Sequence, residues 1–432
     1  MVYICFRRMR TRSFVLSFLA LQLTTLHGMA QPKTDTLTMS LPDAEKMFLE
    51  KNLALIAQQY NVDISKAFAQ QARYWDNPVL NTDQNIYDGA FFRHNSQYGQ
   101  VFIQIQQIIK TAGKRNKAIK LANDQVLTST QQFNDLLRNL KYLLRNDFSS
   151  LNQLLRTNSI YLTGINSLRQ LVAGMDAQLQ AGNISQKDNL RLKALLYSLQ
   201  SDQADLLRQL SDQESELHTL LQLPSTTFIN PSLPETVETN GLDQLNLQQL
   251  IDSGKLNRPD ANLAQTNLAF QQHNLSYQKA LAVPDLTVGA EYDQRSSYVN
   301  NYWGLAISLP IPILNRNKGN IKAAEFSIKQ AQTSVQQAQN QVEADVSAAY
   351  RKLLTVYTLQ QQSDTLLYSK YNQLLQNMLK SYQQRQVSLL EFVDFFEAYK
   401  NARLKQLQQE TNFRQAMEEI NFTTGKDIIQ PR

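Results

Sequence analysis

The sequence predicts a mostly α-helical chain that carries part of a membrane β-barrel and is built from two copies of one unit. Three observations carry this. The same series of features occurs twice, about 205 residues apart. Residues 79–223 and 313–430 contain no proline, and residues 320–424 contain no glycine. Those stretches are rich in Leu, Ala, Gln, Lys and Glu, which favour helix. Finally, four short runs alternate apolar with other residues at the period of a strand.

The chain opens with Arg7, Arg8, Arg10 and Arg12, then a largely apolar stretch at residues 14–23, then Gly28-Met29-Ala30. This order predicts a secretory signal peptide, residues 1–30, cut near Ala30. About ten apolar residues is half of what a spanning helix needs, so the segment is not read as an anchor. No other segment reaches that length, so any membrane crossing has to use strands. Removing the signal takes four arginines from a formal charge of +6, leaving +2, so the basic balance does not imply a nucleic-acid partner. The single cysteine, Cys5, leaves with it, so the mature chain has neither disulfide nor thiol site.

The first unit is expected at residues 31–222, with two strands near 78–108. Pro78 opens a weak strand around 79–87. Val101, Ile103 and Ile105, separated by Phe102, Gln104 and Gln106, make a clean second one. Gly113-Lys114-Arg115 then introduces a helix, which over residues 113–179 could extend on the order of 100 Å. Asn183-Ile184-Ser185 introduces the next helix, where leucines at 199, 206, 210, 217 and 221 step by sevens and fours, a coiled-coil spacing. Residues 223–245, with Pro224, Pro231, Pro234 and Gly241 among Ser, Thr and Asn, are expected to be a linker too polar to bury a core.

The second unit, residues 246–432, repeats the series with strands near 284–312. Leu286, Val288, Ala290 and Tyr292 alternate with Thr287, Gly289 and Glu291. Leu305, Ile307, Leu309 and Ile311 alternate with Ala306, Ser308 and Pro310. Tyr98, Val101, Ile103 and Ile105 of the first unit match Tyr302, Leu305, Ile307 and Leu309. Asn317-Lys318-Gly319 then matches Gly113-Lys114-Arg115, and Gln386-Val387-Ser388 matches Asn183-Ile184-Ser185.

Strands of about nine to eleven residues suit an outer membrane, and Trp75 and Trp303 at their ends, with nearby tyrosines, suit an interfacial girdle. Four strands cannot close a barrel, and lipid tolerates no open edge, so the barrel has to be shared between chains. Three copies would give twelve strands, continuous with a tube of helices. His27, His94, His218 and His273 are scattered, and neither a phosphate loop nor a nucleophile elbow occurs. These residues point to no enzyme, no metal site and no cofactor.

The duplicated strand–strand–helix unit resembles the TolC-like outer-membrane efflux proteins. So do Ser308-Leu309-Pro310-Ile311-Pro312 followed by Asn315-Arg316-Asn317-Lys318-Gly319, and Leu41-Pro42-Asp43-Ala44 before a helix. The proline-rich strand and its Asn-Arg-Asn-Lys-Gly look most like the branch serving heavy-metal cation exporters. The resemblance covers nearly the whole mature chain. It implies a homotrimer in outer-membrane lipid, a twelve-stranded barrel above a long helical tunnel, a periplasmic membrane-fusion adaptor and an inner-membrane pump of the RND type.

The resemblance also implies sites. Adaptor contacts would lie at the helix-turn tips, Gly182, Asn183, Ile184 and Ser185 in the first unit and Arg385, Gln386, Val387 and Ser388 in the second. Gly182 permits a positive φ; Arg385, at the matching place, departs from the pattern. Family members carry acidic gate rings at positions matching Glu391 and Asp394. Glu397 extends the row, since spacing by three holds all of them within roughly 120° of one helix face. In a trimer each would become a ring of like charge, whereas the plainer reading is a solvated face. Asp188 matches Glu391 in the first unit, as a closing contact. Phe392, Phe395 and Phe396 on the other side are expected to pack. Two alternatives stay open: a duct for type I protein secretion or drug export, and a periplasmic coiled-coil scaffold with a small soluble sheet.

Overall fold

A computed structural model describes residues 35–94, 98–234, 241–362 and 365–430, so the expected signal peptide and Cys5 lie outside the described residues. The first helices show how local chemistry sets boundaries. Strand β1 (Asp35–Ser40) runs directly into α1 (Leu41–Lys51). Ser40 caps α1: its hydroxyl accepts the Asp43 N–H at 3.4 Å, while the Asp43 carboxylate accepts the Ser40 N–H at 3.3 Å. Pro42 sits in the first turn, where its missing N–H costs nothing. Asn52 then ends α1 and starts α2 (Leu53–Gln71). Its buried side chain accepts the Leu55 N–H at 3.1 Å and donates to the Leu220 carbonyl at 3.0 Å, tying the joint to the other end of the unit.

Strands β2 (Val79–Gln84) and β3 (Val101–Ile109) follow, then α3 (Lys114–Gln180) and α4 (Gln186–Leu221). After β4 (Thr227–Ser232) come α5 (Leu247–Asn257), α6 (Pro259–Leu281), β5 (Leu286–Arg295), β6 (Asn300–Ser308), α7 (Lys318–Gln362), α8 (Thr365–Gln383) and α9 (Leu389–Thr424). Strand, strand and long helix thus occur twice. Each long helix starts after a residue in the left-handed region, Gly113 at φ 67° and Asn317 at φ 58°; asparagine is among the few side chains that tolerate it.

Two elements differ from the sequence expectation. Residues 227–232, expected to be linker, form β4, which pairs in parallel with β1 from Asp35↔Thr227 to Ser40↔Ser232. Ile229 is fully buried there, so the segment is pinned to the helices despite Pro231. Pro231 is tolerated because a two-stranded sheet leaves each strand an open edge. Strand β6, expected to include Leu309 and Ile311, stops at Ser308. Pro310 and Pro312 have no N–H to donate, so the ladder cannot continue even though the side-chain alternation does.

The strands form one antiparallel sheet in the order β2-β3-β5-β6, with the two units joined by β3 and β5. One face carries Leu80, Ile105, Ala290 and Leu305 at one level and Thr82, Ile103, Tyr292 and Trp303 at the next. The opposite face carries Asn81, Gln104 and Glu291, linked by bonds from Asn81 Nδ2 to Gln104 Oε1 at 3.1 Å and from Gln104 Nε2 to Glu291 Oε2 at 2.8 Å. The apolar face is the exposed one: Leu305 is 69% accessible and Trp303 76%. A soluble sheet packed on helices would bury that face. No helix of the described residues is long and apolar enough to cross a membrane.

The core is divided along the shaft. Phe48, Phe148, Leu151 and Leu217 pack with the small sheet, and Val342, Val346, Phe413 and Ile420 with α5. Ile165, Leu168, Leu192, Phe392 and Phe396 pack far from the strands. Long parallel helices can bury only the stripes they turn toward one another, so cores form in series. At Gly164 an added Cβ would lie 3.0 Å from both Leu199 and Phe396, which keeps α3 close to α4 and α9.

Candidate functional site

At the end of the shaft away from the sheet, the two units make the same turn from different residues. Helix α3 closes with bonds from the Gly182 N–H to the Leu179 carbonyl at 3.0 Å and from the Asn183 N–H to the Gln178 carbonyl at 2.9 Å. Helix α8 closes with Arg385 N–H to Tyr382 at 3.0 Å and Gln386 N–H to Ser381 at 2.8 Å. Gly182 has φ 71° and Arg385 φ 60°. This is the pattern in which a left-handed residue after the helix lets two amides fold back onto the last carbonyls. Arginine thus adopts the glycine conformation, at a cost of about 1 kcal/mol, and the change of residue leaves the geometry of the turn the same as at Gly182.

Each turn hands over to a capping serine. The Asp188 N–H donates to Ser185 Oγ at 3.1 Å, and the Glu391 N–H donates to Ser388 Oγ at 3.3 Å. The acidic side chains reply in kind: Asp188 accepts from the Ser185 hydroxyl at 2.7 Å, and Glu391 from the Ser388 N–H at 2.7 Å. Asp188 and Glu391 are therefore equivalent third residues of α4 and α9. The Ser388 backbone and then its hydroxyl hold the exposed Glu391 carboxyl below the ordinary glutamate range, so it is ionised at neutral pH.

The two turns stand side by side around a groove of about 890 Å³. Asn183, Ile184, Ser185, Asp188, Arg385, Val387 and Ser388 line it, together with Lys187, Arg191 and Tyr382. Arg385 crosses between the units, donating to Gln178 Oε1 at 3.0 Å. Tyr382 stacks on Phe392 with ring centroids 5.1 Å apart, and Phe392 and Phe396 are buried with Phe395 packed against them. The phenylalanines thus form packing, as their side of the helix predicts. Below the turn, Asp176 on α3 accepts from Lys193 and Asn189 on α4, each at 2.7 Å, locking the hairpin.

The acidic candidates divide. Asp188 belongs to the groove, whereas Glu391, Asp394 and Glu397 are exposed on the side of α9 opposite Phe392 and Phe396 and do not line it. Sequence reasoning missed the cations Lys187 and Arg191, the stacked Tyr382 and the Arg385–Gln178 bridge. The bridge joins residues 207 apart, which no local spacing could reveal. Among the described residues, no group of three or more His, Cys, Asp or Glu is placed to hold a metal ion.

Residues 250–426 match the family model described as outer membrane efflux protein. No curated protein matches the chain in sequence. Among solved structures, the chain is similar to the outer membrane protein VceC from Vibrio cholerae, at 16% identity, TM-score 0.64, over 89% of this chain and 96% of that one. It is similar to the CmeC outer membrane channel of Campylobacter jejuni at 11% identity, TM-score 0.68, over 90% and 87%. The CusC structures, described in terms of folding and transmembrane channel formation, give 17% identity, TM-score 0.66, over 89% and 92%. At such identities the likeness is one of fold, and it extends over both units.

Proposed function

We propose that this chain is the outer-membrane exit duct of a tripartite efflux system; its residues 250–426 match the model of the outer membrane efflux protein family, and the likeness of fold to solved outer membrane channels extends over both of its units. The carrying observation is the sheet: its apolar face is bare, the edge strands β2 and β6 each have a partner on one side only, and it continues directly into long helices. Lipid would cover the bare face, and an open edge in lipid leaves backbone groups unsatisfied. Three copies closing twelve strands satisfy both conditions. The expected result is that the mature protein fractionates with outer membranes and has the native mass of three chains in detergent. A chain recovered soluble and monomeric after signal cleavage would support the scaffold reading instead.

In this reading the paired turns dock a periplasmic membrane-fusion adaptor, which couples the duct to an inner-membrane RND-type pump. The groove between the units supports it, because it is formed by both turns and has a half-buried Ile184 and Val387 beside polar groups. Gly182→Glu would force a bulky side chain into a left-handed backbone on the docking face. Export in cells is expected to fall at least tenfold while the trimer survives in membranes. Normal export from an assembled Gly182→Glu trimer would remove the turns as the docking surface.

Glu391 and Asp394, with Glu397 one turn on, would form acidic rings at the periplasmic mouth, and Asp188 would make a closing contact within the groove. The ionised state of Glu391 and the exposure of the row support rings that draw cations. Metal cations are accordingly the cargo this reading favours over proteins or drugs.

A further inference from the structure

The end of the sheet where the long helices begin is a collar of positive charge. Residues 110–120 carry five cations and no carboxylate, and residues 316–322 carry three and none. Arg73 and Lys279 add one each from the chain entering β2 and β5, where Asp76 and Asp285 are the acidic residues. The collar thus holds ten cations against two carboxylates, a surplus of eight, in a chain whose expected mature charge is +2. At the opposite end of the sheet, residues 85–100 and 293–300 carry two arginines and two aspartates and are balanced.

The basic segments are remote in sequence but meet at one level. Ile109 pairs with Leu286 and Thr287 with Ser308, so β3, β5 and β6 end together. Lys110 bonds Asp76 at 3.0 Å, Lys114 bonds Asp285 at 2.7 Å, and Asn317 Nδ2 donates to the Gln278 carbonyl at 2.8 Å. Both carboxylates of the collar are thereby used. Lys322 finds Glu325 at 3.2 Å, and the other seven cations reach no carboxylate among the described residues. Lys120, Lys279 and Lys318 are exposed and make no bond there at all. So much like charge on one ring repels itself unless an anion lies among it.

A second feature says what carries that anion. Exposed Ile108 and Ile109 run into Lys110, and exposed Leu309, Ile311, Ile313 and Leu314 run to within two residues of Arg316. Trp75, 66% exposed, has the Arg115 guanidinium 4.6 Å from its ring centroid. Apolar surface, then an aromatic ring, then cations is the order of hydrocarbon, interface and headgroup phosphate across a leaflet.

We infer that the collar binds the phosphate groups of anionic phospholipids in the leaflet next to the shaft. The inference rests on reading the sheet as part of a lipid-covered barrel. It also gives the duct a fixed depth, since sliding along the membrane normal would drag the lysines into hydrocarbon or the isoleucines into water.

The chain has two tryptophans, so Trp303→Phe leaves Trp75 as the one reporter at the collar. The full protein carrying this change would be reconstituted in phosphatidylcholine vesicles containing a fraction of chain-brominated lipid, which quenches tryptophan on contact. Brominated phosphatidylglycerol is expected to occupy the surroundings of Trp75 roughly fivefold in excess of its mole fraction, and brominated phosphatidylcholine only in proportion. Adding Lys120→Gln, Lys279→Gln and Lys318→Gln should remove most of the excess, with helix content unchanged. Equal quenching by the two lipids would overturn the collar and leave the membrane reading standing. No quenching by either would overturn the membrane placement itself. An excess that survives the triple change would overturn the assignment to these lysines. Its loss to inorganic phosphate, but not to chloride of equal ionic strength, would make the free anion the ligand and overturn the lipid. Equal quenching with a rise in cation selectivity of the triple variant would put the surplus in the pore, and overturns the inference as well.

Discussion

Replacing Arg145 with methionine is expected to cost the folded chain about 3–5 kcal/mol, the usual penalty for removing one partner of a buried ionic cluster. Arg145 leaves α3 with only 4% of its side chain exposed and joins three distant segments. Its Nε donates to Glu45 of α1 at 2.6 Å, and its Nη1 to Glu418 of α9 at 2.7 Å and to Asp427 beyond α9 at 2.9 Å. Lys141 adds a contact to Asp427 at 2.7 Å. Without Arg145, three carboxylates would share one lysine. Burial already pushes the Glu418 carboxyl above the ordinary range, so Glu418 would take up a proton rather than stay charged, which limits the loss. Thermal unfolding followed by circular dichroism checks the magnitude, and Glu418→Gln added to Arg145→Met should recover part of it.

The same cluster gives a pH dependence. Burial raises the Asp427 carboxyl, but hydrogen bonds from Arg145 and Lys141 outweigh it and hold the group below the ordinary aspartate range. A carboxyl depressed in the folded state contributes stability above its unfolded value, near 3.9, and loses it as pH falls through the folded value. Acid below about pH 4 should therefore release the C-terminal segment, whose Ile428 and Ile429 amides donate to Asn421 Oδ1 at 2.9 and 2.8 Å. Hydrogen exchange at those amides should accelerate there, and at a higher pH in Arg145→Met. If the variant kept wild-type melting and exchange, the cluster would be a surface feature of little consequence.

The second large effect is expected at the proposed mouth. In planar bilayers, Glu391→Gln with Asp394→Asn should bring cation-to-anion selectivity most of the way to unity and relieve block by multivalent cations. Glutamine and asparagine keep size and polarity, so the change isolates charge. The two groups would contribute up to six negative charges in a constriction of three chains, where screening by solvent is weak. Ser388 remains to cap α9 through its hydroxyl, so the helix should start at the same place. Because Asp188 faces the groove and not the acidic row, Asp188→Asn should leave selectivity near wild type. Selectivity that survives the double change would make the row a solvated helix face. If Asp188→Asn altered it instead, the pore would lie on the groove side.

What the sequence by itself determined is local. Proline and glycine punctuation marked the long helices, alternation marked the strands, and Ser185 and Ser388 marked helix starts. The offset of about 205 residues matched Gly113 with Asn317 and Gly182 with Arg385, pairs that share a left-handed backbone. The apolar side of α9 was legible as well, because helical period separates Phe392 and Phe396 from the acidic row. Backbone propensity and side-chain period are properties of a few consecutive residues, so they can be read without knowing what lies across the fold.

Only the tertiary structure decided the rest. The β1–β4 sheet pairs residues about 190 apart, and its second strand looks like linker because it carries Pro231, which is harmless on an open edge. Arg145 reads as an ordinary helix cation until α1, α9 and the C-terminal segment converge on it. The basic runs at residues 110–120 and 316–322 look like separate helix starts, until the sheet brings them to one level. Such features arise where topology brings remote segments into contact, and their energy depends on burial and geometry that no single segment encodes.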